Sequence, residues 1–153
     1  MRVRLADAEE KPKRDCLLAA TRGVRVILAD DNEAVSRAAA ALLGPEFEVV
    51  GTARDGQSLV DAALRLKPEL LIVDISMPVL NGIEAVLRLR RAGSAAKVVF
   101  LTVHDDADFA RVALASGAAG YVTKPRMSSD LRTAIEQVLA GRSFVSPTIE
   151  IER

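Results

Sequence analysis

Leu70-Leu71-Ile72-Val73-Asp74-Ile75-Ser76-Met77-Pro78-Val79-Leu80-Asn81-Gly82 decides the architecture of this chain. Four apolar residues run into one carboxylate, then Pro78 and Asn81-Gly82 turn the chain before a helical pattern begins. The run is too short for a helix and does not alternate, so it predicts a strand buried on both faces. In open sheets of such strands, ligands bind beyond the carboxyl ends, where Asp74 stands. A carboxylate there can be a metal ligand, a nucleophile or a solvated turn residue. Taken alone, the turn residue is favoured. Three other strands ending on polar side chains change that balance.

On the amino side, Val24-Arg25-Val26-Ile27-Leu28-Ala29-Asp30-Asp31 predicts a strand running into two adjacent carboxylates, with Asn32 capping the next helix. Val35, Ala38, Ala39, Leu42 and Leu43 share one face of that helix, and Gly44-Pro45 stops it. Phe47 to Thr52 is a second strand, Asp55-Gly56 a turn, and Gln57 to about Lys67 a second helix closed by Pro68. Beyond Gly82, Ile83, Val86, Leu87 and Arg90 mark a third helix ending near Gly93. Lys97 to Thr102 is a fourth strand ending on a hydroxyl, and Phe109, Val112 and Ala113 mark a helix that stops at Gly117. Ala119 to Pro125 is a fifth strand carrying Lys124 at its end, and Leu131, Ile135, Val138 and Leu139 mark a last helix closed at Gly141. Strand and helix alternate throughout, which predicts a parallel sheet covered on both faces. Residues 1–23 mix charges of both signs around Pro12 and predict a mobile extension, with a short helix at Cys16 to Ala20 as the alternative. Residues 24–141 make the domain, and 142–153 a tail or truncated linker.

A chain of 153 residues suits one domain, and half of it is hydrophobic. Twenty-one basic against 21 acidic residues argue against nucleic-acid binding through bulk charge. Aromatics make up 3% and Trp is absent, which disfavours a stacking platform for single strands. Cys16 is the only cysteine, so no disulfide forms within the chain and a cytoplasmic setting is expected. No apolar run approaches the roughly 18 residues of a membrane span, and charges occupy the place of a signal peptide's apolar core.

Asp30, Asp31, Asp74, Thr102 and Lys124 all fall at one edge of the expected sheet. Three carboxylates in one pocket repel, and some take up protons unless a cation joins them. Their hard oxygens suit Mg²⁺, which bridges carboxylates to phosphate. Lysine is a point charge for a phosphoryl oxygen, a hydroxyl can donate to another, and a carboxylate can itself accept the group as an acyl phosphate. The set fits Mg²⁺-dependent phosphoryl transfer onto one aspartate, with Asp74 the best placed.

The motifs Ile27 to Glu33, Asp74 to Gly82, Leu101-Thr102, Gly117 to Tyr121 and Lys124-Pro125 resemble, in order, those of a response-regulator receiver domain of two-component signalling. The resemblance spans about Val24 to Gly141 and is strongest to NarL/LuxR-type receivers. It implies a doubly wound five-stranded parallel sheet, (βα)5, flavodoxin-like, in the order 2-1-3-4-5. It implies that Asp74 accepts a phosphoryl group from a histidine kinase or phosphotransfer protein. Asp30, Asp31, Asp74 and the backbone carbonyl of Ser76 would hold Mg²⁺. Thr102 would hydrogen-bond the phosphorylated state, Lys124 would pair with the phosphate across a cis Lys124-Pro125 bond, and Tyr121 would be the aromatic switch. His104 and Ser76, each two residues past a site residue, would tune dephosphorylation. The implied protein is no enzyme beyond its own phosphotransfer and dephosphorylation.

Each residue alone has a plainer role. Asp30-Asp31 would stabilise a helix N-terminus, Lys124 would be solvated, Thr102 a strand residue, Tyr121 a half-buried aromatic and His104 a surface histidine. Gly141 to Pro147 also resembles the linker before a helix-turn-helix domain, so the chain could be the receiver part of a LuxR-type transcriptional regulator. Only Thr148 to Arg153 follow, too few to read DNA, so direct nucleic-acid binding by this chain is not expected. A phosphohydrolase of the haloacid-dehalogenase type is disfavoured because Asp74-Ile75-Ser76 lacks its second acid. A flavin binder is disfavoured because the first loop lacks a glycine- and hydroxyl-rich phosphate cradle. Homodimerisation, through the first and fifth helices or through the fourth, stays open.

Overall fold

The structure, a computed structural model, describes residues 23–149. The expected extension is outside the described residues except for Gly23, and so is the alternative helix at Cys16 to Ala20. In chain order the elements are β1 (Val24–Ala29), α1 (Glu33–Leu42), β2 (Phe47–Ala53), α2 (Gly56–Leu66), β3 (Leu70–Val73) and α3 (Gly82–Arg91). They continue with β4 (Lys97–Thr102), α4 (Ala107–Ala115), β5 (Gly120–Thr123), a 3-10 turn (Lys124–Arg126), α5 (Met127–Leu139) and β6 (Phe144–Val145).

All strand pairs are parallel, in the order β2-β1-β3-β4-β5-β6. The expected five strands and order 2-1-3-4-5 therefore need a correction at one edge. β6 forms inside the expected tail: Phe144 donates its N–H to Ala119 O at 2.9 Å, and Ser146 donates its own to Tyr121 O at 2.9 Å. An uncovered β5 would leave backbone groups of buried residues without partners, and β6 supplies them. The fifth strand is also shorter than expected. It ends at Thr123, and Lys124 and Pro125 enter the 3-10 turn. The expected cis Lys124-Pro125 bond is trans. Pro125 lies in the first turn of that short helix, where its fixed φ suits the backbone and its missing N–H is not needed.

Alternating residues of each strand face opposite helical layers. Val26 and Leu28 pack with Leu131, Ala134, Ile135 and Val138 of α5. Ile27 and Ala29 face the other way, toward Leu59 and Val60 of α2, Val86 and Leu89 of α3, and Ala110 and Ala113 of α4. All four residues of β3 are buried, as a strand covered on both faces requires.

Short polar residues start the helices at the carboxyl edge. Asn32 accepts the Ala34 N–H, Asp55 the Ser58 N–H, Asn81 the Glu84 N–H and Asp106 the Phe109 N–H, each at 2.8–2.9 Å. At the opposite end of α2, Lys67 adopts φ +50° before Pro68. There the Arg25 guanidinium donates to the carbonyls of Leu66 and Lys67, two acceptors the helix leaves over.

Candidate functional site

The strand order reverses at β1, whose neighbours are β2 and β3, and open α/β sheets carry their ligand crevice beyond the carboxyl ends of the strands at such a point. The Asp74 N–H donates to Ala29 O at 2.8 Å, which sets the chain past β3 beside the chain past β1. Asp74 and Asp30 are 4% and 5% exposed, whereas Asp31 next to them is solvent-exposed. Carboxylate oxygens of Asp30, Asp31 and Asp74 lie within 4.8 Å of one another.

Among the described residues, one cation reaches this trio. Lys124 Nζ lies 2.8 Å from Asp30 Oδ2 and 3.3 Å from Asp74 Oδ2. Asp30 Oδ1 accepts the Asn32 N–H at 2.8 Å, but Asp74 Oδ1 is buried without a partner among the described residues. Burial, followed by the charge of Asp30, raises the Asp74 carboxyl above the usual carboxylate range despite Lys124. Burial would lower the Lys124 ammonium, but its hydrogen bonds and charge pairing with Asp30 and Asp74 raise it. An anionic trio with two buried members, one orphaned oxygen and one shared ammonium is short of positive charge. Hard oxygen donors so arranged fit a divalent cation of the Mg²⁺ class.

His104 organises the other side of the crevice. Its backbone N–H donates to Thr102 Oγ1 at 3.3 Å, and its carbonyl accepts the Tyr121 hydroxyl at 2.7 Å. Its Nε2 shares a hydrogen bond of 2.7 Å with Ser76 Oγ, and the ring stacks on Phe109 at 4.2 Å between centroids. Thr102 and Tyr121 are fully buried, so Tyr121 is not the half-buried aromatic its strand position suggests. Burial, with Asp106 and Asp105 nearby, raises its phenol above the usual value and keeps it a hydrogen-bond donor.

The β3–α3 loop is held tightly. Val79 is 82% exposed and adopts φ +71°, a region rare for a β-branched residue. Leu80 donates its N–H to Pro78 O at 2.7 Å, closing a three-residue turn, and the Gly56 N–H reaches the same oxygen at 3.4 Å.

The crevice thus gathers Asp30, Asp31, Asp74 and Lys124, while Ser76, Thr102, His104 and Tyr121 form a second, linked chain of contacts. The Phe109 stack on His104 was not anticipated from sequence; the pair lies five residues apart across the start of α4. A groove of about 670 Å³ lies elsewhere, at the amino edge between Leu64, Lys67, Ala96 and Leu139. Volume does not locate the chemistry here, because a cation and a phosphoryl group need charge and donors rather than a deep cavity.

Known proteins similar to this chain point to one family. A family model described as the response regulator receiver domain matches residues 26–136. The response regulator GacA of Pseudomonas viridiflava is 35% identical over 128 residues, covering 82% of this chain and 60% of that protein. The transcriptional regulatory protein DegU of Brevibacillus brevis is 30% identical over 128 residues, covering 82% of this chain and 54% of that protein. The chain therefore spans little more than half the length of these relatives. Among solved structures, a LuxR-family two-component response regulator from Aurantimonas sp. SI85-9A1 superposes with a TM-score of 0.77 at 34% identity, covering 82% of this chain and 91% of that one.

Proposed function

This chain belongs to the response regulator receiver family, and from that premise we propose that Asp74 is its phosphoacceptor. The observation that carries the proposal is the buried, unpartnered Asp74 Oδ1 within reach of two further carboxylates and one lysine. An Asp74 oxygen attacks the phosphorus of a phosphohistidine on a histidine kinase or phosphotransfer protein. The P–N bond breaks, its electron pair stays on the imidazole nitrogen, and Asp74 carries an acyl phosphate. Asp30, Asp31, Asp74 and the Ser76 carbonyl would hold Mg²⁺, which supplies charge neutralisation for the phosphoryl oxygens. Lys124 exchanges a carboxylate partner for a phosphoryl oxygen, and the Thr102 hydroxyl donates to another.

That exchange is the switch. A Thr102 side chain drawn toward the phosphoryl group pulls against the His104 N–H, and His104 also holds the Tyr121 hydroxyl and Ser76. Negative charge at Asp74 thereby biases the surface around α4, β5 and α5 toward a partner-binding state. Output through transcription is proposed by analogy with the regulators GacA and DegU; direct DNA contact is not proposed for the described residues.

The test is intact mass after incubation with Mg²⁺ and a small acyl-phosphate donor. One adduct of about 80 Da, removed by alkali and absent in EDTA, is the expected result. No adduct together with no Mg²⁺-dependent beryllofluoride binding would reject the phosphoacceptor role. His104→Ala is expected to change the acyl-phosphate lifetime several-fold, on the order of one lost hydrogen bond. An unchanged decay rate would remove His104 and Ser76 from rate control.

A further inference from the structure

Lys124 must leave Asp30 and meet a phosphoryl oxygen, and a flexible four-carbon side chain does this reproducibly only if its backbone origin is fixed. The residues that fix it lie partly beyond the 26–136 span of the family match. β6 ends at Val145, so the backbone ladder along β5 stops one residue short of where Thr123 needs an acceptor. Ser146, fully buried, substitutes for the ladder: its Oγ accepts the Thr123 N–H at 3.2 Å and donates to Asp130 Oδ2 at 2.9 Å. Asp130 in turn holds Arg126 by two hydrogen bonds, from Nε at 2.7 Å and from Nη2 at 3.1 Å. Thr123 and Arg126 flank Lys124-Pro125 on either side. Both are thus tied into one buried Ser146–Asp130 unit.

We infer that Ser146 is a positioning residue for Lys124, making the strap Phe144–Ile149 part of the phosphoryl-binding apparatus. The strap has other anchors, namely the Phe144 and Ser146 backbone N–H groups and the buried Ile149. Loss of the Ser146 hydroxyl therefore does not release it. The loss frees the Thr123 N–H and one side of the Asp130 carboxylate, and the loop carrying Lys124 gains freedom. The inference rests on the phosphoacceptor role proposed above.

The experiment is calorimetric titration of the full chain with Mg²⁺ alone and then with beryllofluoride in saturating Mg²⁺. Ser146→Ala is expected to weaken beryllofluoride binding on the order of five-fold, the effect of losing one orienting hydrogen bond. Mg²⁺ binding alone should stay at the wild-type value, because the carboxylates are untouched. In a Lys124→Ala background the same substitution should add no further loss, since its effect passes through the lysine. Asp130→Asn, which loosens Arg126 instead, should repeat the pattern and serves if Ser146→Ala does not fold. Wild-type beryllofluoride affinity in either folded variant, or an undiminished loss in the Lys124→Ala background, would overturn the inference and leave Asp74's role standing. No beryllofluoride binding by the wild type would instead overturn the phosphoacceptor proposal, and this inference with it.

Discussion

An Asp74→Asn variant is expected to gain no phosphoryl mass and, in EDTA at pH 7, to melt a few degrees above the wild type. The first effect is loss of the nucleophile: an amide oxygen forms no acyl phosphate. The second follows from the cost of keeping an anion at this position. Asp74 is buried, one of its oxygens has no partner among the described residues, and Asp30 beside it carries the same charge. Lys124 offsets part of this, but its shorter contact is to Asp30. An uncharged isostere removes the desolvation and repulsion while Lys124 keeps Asp30, a gain of about 1 kcal/mol.

The pH dependence has a definite sign. Burial, and then the charge of Asp30, raise the folded-state pKa of Asp74 above its unfolded-state value. Its contribution to stability is full below that unfolded-state value and is lost as pH rises through the raised one. The advantage of Asn should therefore be largest at neutral pH and shrink as pH falls toward the region where wild-type Asp74 takes up its proton. Thermal melts of both proteins from pH 7 downward measure it. A variant less stable than wild type at pH 7 in EDTA would mean that Lys124 more than compensates the buried charge.

Gly82→Ala is expected to be among the most destabilising single substitutions in the described residues. Gly82 opens α3 directly against the phosphoacceptor segment, its N–H donating to Ile75 O at 2.8 Å. A Cβ there would sit 2.1 Å from the Asp74 carbonyl oxygen and 2.9 Å from Val73 Cγ1. Those neighbours are backbone and a fully buried strand side chain, and neither can move without displacing β3. A loss of about 3 kcal/mol is expected, at the upper end for overpacking. Gly93→Ala is the informative control: Gly93 has φ +89° but nothing within 4 Å of an added Cβ. Strain there costs about 1 kcal/mol. Urea unfolding of the two variants separates steric from conformational cost, and equal midpoints would show that the β3–α3 junction yields more readily than its packing implies.

The sheet was legible where pattern and punctuation coincide. β4 spans Lys97–Thr102 as its apolar run indicates, and Asn32 caps the helix start that its side-chain chemistry favours. The carboxylate cluster was legible because parallel strands bring their carboxyl ends to one edge, so Asp30, Asp74 and Lys124 converge once the topology is known. β6 was not, because Phe144-Val145 is too short to show any period and is selected by the open edge of β5. Nor was the role of Ser146, a single hydroxyl whose partners lie 16 and 23 residues away in sequence.

The two-residue strand has a practical consequence for dividing this protein. A fragment ended at Gly141, where the helical pattern stops, would present the outer edge of β5 to solvent as a parallel template beside an apolar sheet. Such an edge recruits strands from other molecules. A β6 only two residues long offers little for another chain to extend, and the segment after it turns away at Pro147 to bury Ile149. For solubility as well as for folding, the smallest piece to handle by itself runs through Ile149.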